Sequence, residues 1–82
     1  MTAAISSSKL SRVAVVGASG YIGTNLVPRL IERAMKVRAV ARSREVLAAR
    51  GWPEVEVVAA DVLKPETLDA ALQDIDIAYY LV

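Results

Sequence analysis

Gly17-Ala18-Ser19-Gly20-Tyr21-Ile22-Gly23 places three glycines at even spacing directly behind the β-branched run Arg12-Val13-Ala14-Val15-Val16. A pyrophosphate needs backbone N–H donors and the positive end of a helix dipole, with no Cβ barring its approach. In that role Gly17 allows a tight turn, Gly20 lets phosphates reach the backbone, and Gly23 lets a helix pack closely on a strand. Ser19 adds a hydroxyl that bonds phosphate or caps the helix. The spacing is G-x-x-G-x-x-G, not the G-x-G-x-x-G of the standard dinucleotide fingerprint. The competing reading is a glycine-rich turn that serves packing alone. The strand pattern before it and the helical pattern after it favour the phosphate site.

Other residues fall where such a ligand would be read. Arg42 lies 19 positions beyond Gly23, with Ser43 and Arg44 beside it. An acidic residue there accepts from a ribose 2′-hydroxyl and favours NAD, whereas an arginine pairs with a 2′-phosphate and favours NADP. Arg42 therefore points to NADP, with NAD as the alternative; a solvated basic turn is the plain reading. Asp61 and Val62 follow a third apolar run and could meet an adenine amino group and ring, although an Asp there also closes a strand or starts a turn. Leu81 and Val82 end a fourth run, at the edge where cofactors lie. Tyr79 and Tyr80 read as packing residues.

The elements that would position these residues alternate. The first strand is Arg12 to Val16. A helix follows, with Ile22, Leu26, Leu30 and Ala34 as its inward stripe, widened by Val27 and Ile31. Pro28 inside it predicts a mild kink. Val37 to Ala41 is a second strand. Ser43 can cap a short helix over Arg44 to Arg50, with Gly51 at its left-handed end. Val55 to Ala59 is a third strand. Pro65 suits the first position of a third helix, with Lys64 in the cap position. Ile77 to Val82 is a fourth strand. Strands alternating with helices predict a parallel sheet with right-handed crossovers. The predicted fold is α/β, a Rossmann-type βαβαβαβ with a partial doubly wound parallel sheet of order 3-2-1-4. Residues 1–11 read as a flexible lead-in and 12–82 as the N-terminal portion of the domain. The fourth strand would then be an uncovered apolar edge, open to self-association.

Composition narrows the alternatives. The 82 residues are 55% hydrophobic, with neither Cys nor His, and the net charge is +1. Disulfide scaffolds, Cys-based zinc sites and His-dependent triads are excluded. The charge balance leaves no footprint for nucleic acid. No apolar run approaches the roughly 20 residues that span a bilayer, so no membrane partner is expected. The opening residues lack the pattern of a secretory leader, which makes the cytoplasm the default location. No Gly-Lys-Ser/Thr run marks a P-loop.

Together, the Gly17–Gly23 run, the Arg42-Ser43-Arg44 turn, the Asp61-Val62 pair and the closing Asp76-Ile77-Ala78-Tyr79-Tyr80-Leu81-Val82 resemble the extended and atypical short-chain dehydrogenase/reductases. The NmrA-like NAD(P)-binding members match especially well, over almost the whole chain from Arg12. That resemblance implies that the backbone of Ser19, Gly20, Tyr21 and Ile22 holds a pyrophosphate. It implies that Arg42 and Ser43 bind a 2′-phosphate, that Asp61 and Val62 hold adenine, and that Leu81 sits near the adenosine ribose. Family enzymes pair a Tyr with a Lys four residues later. Here Tyr21, Tyr79 and Tyr80 have no Lys at that spacing. The implied function is the dinucleotide-binding portion of an oxidoreductase or epimerase without its own catalytic residues. The alternatives are a non-catalytic dinucleotide sensor and an inactive truncated product.

Overall fold

The computed structural model describes residues 11–81; residues 1–10 of the expected lead-in (1–11) and Val82 lie outside them. The order is β1 (Arg12–Val16), α1 (Tyr21–Glu32), β2 (Lys36–Ala41), α2 (Arg44–Ala48), β3 (Glu56–Ala59), α3 (Pro65–Ala71) and β4 (Ile77–Tyr80). The sheet is parallel throughout, in the order β3-β2-β1-β4. Val16 pairs with Val40 on one side and with Tyr80 on the other, and Val40 pairs with Val58. Asp76 sets the start of β4. Its Oδ2 accepts from the Arg12 amide, and its own amide donates to the Arg12 carbonyl, both at 2.8 Å.

The apolar runs of the central strands β1 and β2 are covered on both faces, as parallel crossovers favour. On one face, Val13, Val15, Val37, Ala39 and Ala41 pack under Val27 and Leu30 of α1 and Leu47 of α2. On the other, Val16, Val40 and Ala60 meet Ala71 of α3, flanked by Val58, Leu68 and Leu72. Each buried valine contributes about 1.5 to 3 kcal/mol by leaving water. β4 differs from the central strands: Ile77, Ala78, Tyr79 and Tyr80 are all exposed, and Leu81 is partly buried against the first core.

The inward stripe of α1 needs correction. Gly23, Val27 and Leu30 are its buried positions, whereas Ile22 is 61% exposed. Ala34 is not a helical position at all. It ends α1 at φ 61°, donating to the Ile31 carbonyl, while Met35 donates to the Leu30 carbonyl. That is a Schellman closure with alanine in the place that usually holds glycine. The helix runs through Pro28, whose missing N–H frees the Thr24 carbonyl.

The second helix is shorter than its sequence pattern. It stops at Ala48, and Gly51 then turns the chain at φ 68°. Its cap is as read, with Ser43 Oγ accepting from the Val46 amide at 3.3 Å. The third helix does begin at Pro65 with Lys64 in the cap position. The Lys64 side chain caps nothing; Thr67 Oγ1 instead donates back to the Lys64 carbonyl at 2.7 Å.

Candidate functional site

A parallel sheet brings all strand C-termini to one edge, and that edge collects the candidate segments at Gly17–Gly23, Arg42–Arg44, Asp61–Val62 and Leu81; Val82 lies outside the described residues. Hydrogen bonds tie the segments together. The amides of Gly17 and Ala18 both donate to the Val40 carbonyl, at 2.8 and 3.1 Å. The Ala60 amide donates to Ala41 O at 2.9 Å, and the Leu81 amide to Val16 O at 2.8 Å. The glycine turn after β1, the Arg42–Ser43 bend after β2, the Asp61 turn after β3 and Leu81 after β4 are thus neighbours along one rim.

The glycine turn leaves backbone donors free at the start of α1. Gly17 sits at φ 91°, a conformation that side-chain-bearing residues rarely adopt. Gly20 caps α1 in an extended conformation and has no side chain to accept from the helix amides, while Thr24 Oγ1 donates to its carbonyl at 2.8 Å. Among the described residues, the amides of Ser19, Tyr21, Ile22 and Gly23 have no acceptor. Orphan donors at a helix start are the partners that a phosphate seeks. The Ser19 hydroxyl, proposed either for phosphate or as a cap, does not cap the helix.

The three glycines carry different duties. A Cβ on Gly23 would lie 2.6 Å from Ala18 Cα, so its absence is a packing requirement. A Cβ on Gly20 would meet only Gly17 O, at 3.5 Å, an ordinary contact. The fold therefore leaves space at Gly20 that it does not itself fill.

Arg42 is exposed and makes no hydrogen bond to the described residues. Ser43 keeps its hydroxyl proton, because its oxygen acts as the acceptor in the cap. Arg44 turns toward β3, with Nε 3.4 Å from the Val57 carbonyl. Asp61 is held firmly. Its Oδ1 accepts from the Leu63 amide and its own amide donates to Thr67 Oγ1, each at 2.9 Å. Oδ2 has no partner among the described residues. Val62 and Leu63 are exposed beside it, at 38% and 82%.

Two residues missed by the sequence reading also shape this end of the molecule. Thr67 orders the Asp61 turn, and Arg50 Nη2 donates to the Ser19 carbonyl at 3.1 Å. Thr67 acts locally, six positions after Asp61, whereas Arg50 and Ser19 lie 31 positions apart and only the fold brings them together. A cavity of about 520 Å³ lies at the opposite rim, lined by Arg12, Lys36, Arg38, Glu54 and Glu56 among others. The orphan amides and the space at Gly20 belong to the C-terminal rim, where α/β sheets bind their ligands.

The chain from residue 17 to residue 82 matches the family described as NAD(P)H-binding. The chain belongs to that family. Within it, the segment is of the extended short-chain dehydrogenase/reductase type. It is similar to the 3 beta-hydroxysteroid dehydrogenase/Delta 5-->4-isomerase of Mycobacterium tuberculosis, with 35% identity over 72 residues, 88% of this chain and 19% of the relative. The chain thus spans about a fifth of the length of that relative. Among solved structures, a Rossmann-fold NAD(P)-binding family protein from Shigella flexneri superposes with a TM-score of 0.75 at 26% identity. That match covers 90% of this chain and 38% of the other. Pen from Bacillus thuringiensis shares the fold at a TM-score of 0.81 and 17% identity, over 90% of this chain and 25% of its own. A nicotinamide dinucleotide is the ligand class that this family binds. No helix among the described residues is long and apolar enough to cross a membrane.

Proposed function

We propose that this chain is the NADP-preferring, dinucleotide-binding portion of a reductase or epimerase. The observation that carries the reading is the set of orphan amides at the start of α1, next to space at Gly20 that the fold leaves unfilled. The amides of Ser19, Tyr21, Ile22 and Gly23 would receive the pyrophosphate. Arg42 and the Ser43 hydroxyl would hold the 2′-phosphate, with Arg44 adding charge nearby. Asp61 Oδ2 would accept from the adenine amino group, Val62 would lie against the ring, and Leu81 would border the ribose. A bound nicotinamide would supply or accept a hydride; this chain's residues bind and orient the dinucleotide. The exposed β4 edge suits pairing with a second copy of the chain.

Titration with NADPH and NADH tests the cofactor assignment. A charge-assisted contact contributes about 1.5 to 3 kcal/mol. Arg42→Ala should therefore weaken NADPH about tenfold or more and leave NADH nearly unchanged. Equal loss for both cofactors, or no loss, overturns the 2′-phosphate role.

A further inference from the structure

Arg50 belongs to none of the cofactor motifs. It lies beyond α2 with its side chain exposed, yet it reaches Ser19, 31 positions away, and donates to its carbonyl at 3.1 Å. That carbonyl belongs to the Ser19–Gly20 peptide. The other side of the same peptide is held too, because the Gly20 amide donates to the Gly17 carbonyl at 3.1 Å. One peptide plane at the centre of the glycine turn is thus gripped from both edges.

The grip answers a specific weakness. Gly20 has no side chain, and glycine explores backbone conformations closed to other residues. A rotation of the Ser19–Gly20 peptide would carry the Ser19 carbonyl away from Arg50 and disturb the flanking Ser19 and Tyr21 amides. A turn whose donors must be aligned before an anion arrives benefits from being ordered in advance. Arg50 supplies that order from outside the turn. Its guanidinium has five N–H donors, and one of its nitrogens serves this bond, so positive charge also stays close to the anion site.

We propose that Arg50 is a positioning residue for dinucleotide binding, pinning the Ser19–Gly20 peptide so that the amides for the pyrophosphate are preset. The binding role rests on the cofactor reading above; the pin itself does not. Arg42 acts on the group that distinguishes NADP from NAD. Arg50 acts on the part the two share, so its removal weakens both by the same factor.

The test uses the whole chain with Arg50→Ala and Arg50→Lys, and its first readout needs no cofactor. By NMR, Arg50→Ala should shift the Ser19 carbonyl carbon and speed hydrogen exchange of the Gly20 amide without lowering the melting temperature. Arg50→Lys, which keeps a donor, should restore part of both signals. The second readout is affinity. Arg50→Ala should lose about tenfold, about 1.4 kcal/mol, for NADPH and NADH alike, and Arg50→Lys should recover much of it. Unchanged loop signals in Arg50→Ala overturn the pin. Altered loop signals with unchanged affinities overturn the positioning role, as does a loss confined to NADPH, which would reassign Arg50 to the 2′-phosphate. If the parent chain binds neither dinucleotide while the loop signals respond, the cofactor reading falls and the positioning role falls with it, but the pin stands.

Discussion

A Cβ placed on Gly23 would stand 2.6 Å from Ala18 Cα and 2.8 Å from its carbonyl carbon and oxygen. The obstruction is backbone, at the point where β1 hands over to α1, so no side-chain rotation relieves it. Gly23→Ala should destabilise the chain by about 1 to 3 kcal/mol, the usual cost of overpacking, seen as a lower urea midpoint. Gly20→Ala makes the contrast. Its φ of −79° suits any residue and its nearest contact is ordinary. Stability should change by no more than about 1 kcal/mol, while dinucleotide affinity drops. A Gly20→Ala chain that binds as tightly as its parent would contradict the cofactor site.

Ala34 closes α1 in the left-handed region, with the two Schellman hydrogen bonds in place. A Cβ there costs about 1 kcal/mol or more that glycine does not incur. Ala34→Gly should raise stability by about 1 kcal/mol despite glycine's greater freedom in the unfolded chain. Chemical denaturation measures it, and a lower midpoint would count against the closure described.

Arg38 is a charged residue inside a strand, with its side chain 13% exposed. Nη1 donates to the carbonyls of Ala71 and Gln73 at 2.6 and 2.9 Å, and Nε to Glu56 Oε1 at 2.8 Å. It therefore fastens the C-terminal end of α3 to the sheet. Arg38→Met should cost about 1.5 to 3 kcal/mol. Glu56 is 61% exposed, so water screens its ion pair, and Glu56→Gln should cost less than about 1 kcal/mol. Equal costs in thermal denaturation would show that the ion pair, not the carbonyl contacts, matters.

The β4 edge should bring copies together. Ile77, Tyr79 and Tyr80 are 42%, 40% and 53% exposed on a strand that, among the described residues, pairs only with β1. Sedimentation should show association that grows with concentration, and Tyr80→Lys should suppress it by placing a charge on the edge. A parent chain that stays monomeric at every concentration would refute the pairing.

Much of this protein was legible before folding was considered. The β-branched runs, the glycine spacing, the Ser43 cap and the start at Pro65 all act over a few neighbouring residues. Steric preference and local hydrogen bonding decide them wherever they occur. The parallel order also followed from alternation, and with it the gathering of Gly17, Arg42, Asp61 and Leu81 on one rim. The tertiary structure decided what depends on residues far apart in the chain. It turned Ile22 outward and buried Gly23, which packs on the Ala18 backbone where no Cβ would fit. It gave Arg38 the carbonyls of Ala71 and Gln73, more than 30 positions ahead. It brought Arg50 to Ser19, a contact with no trace in local pattern, because hydrogen bonds between distant residues are selected by geometry rather than by spacing along the chain.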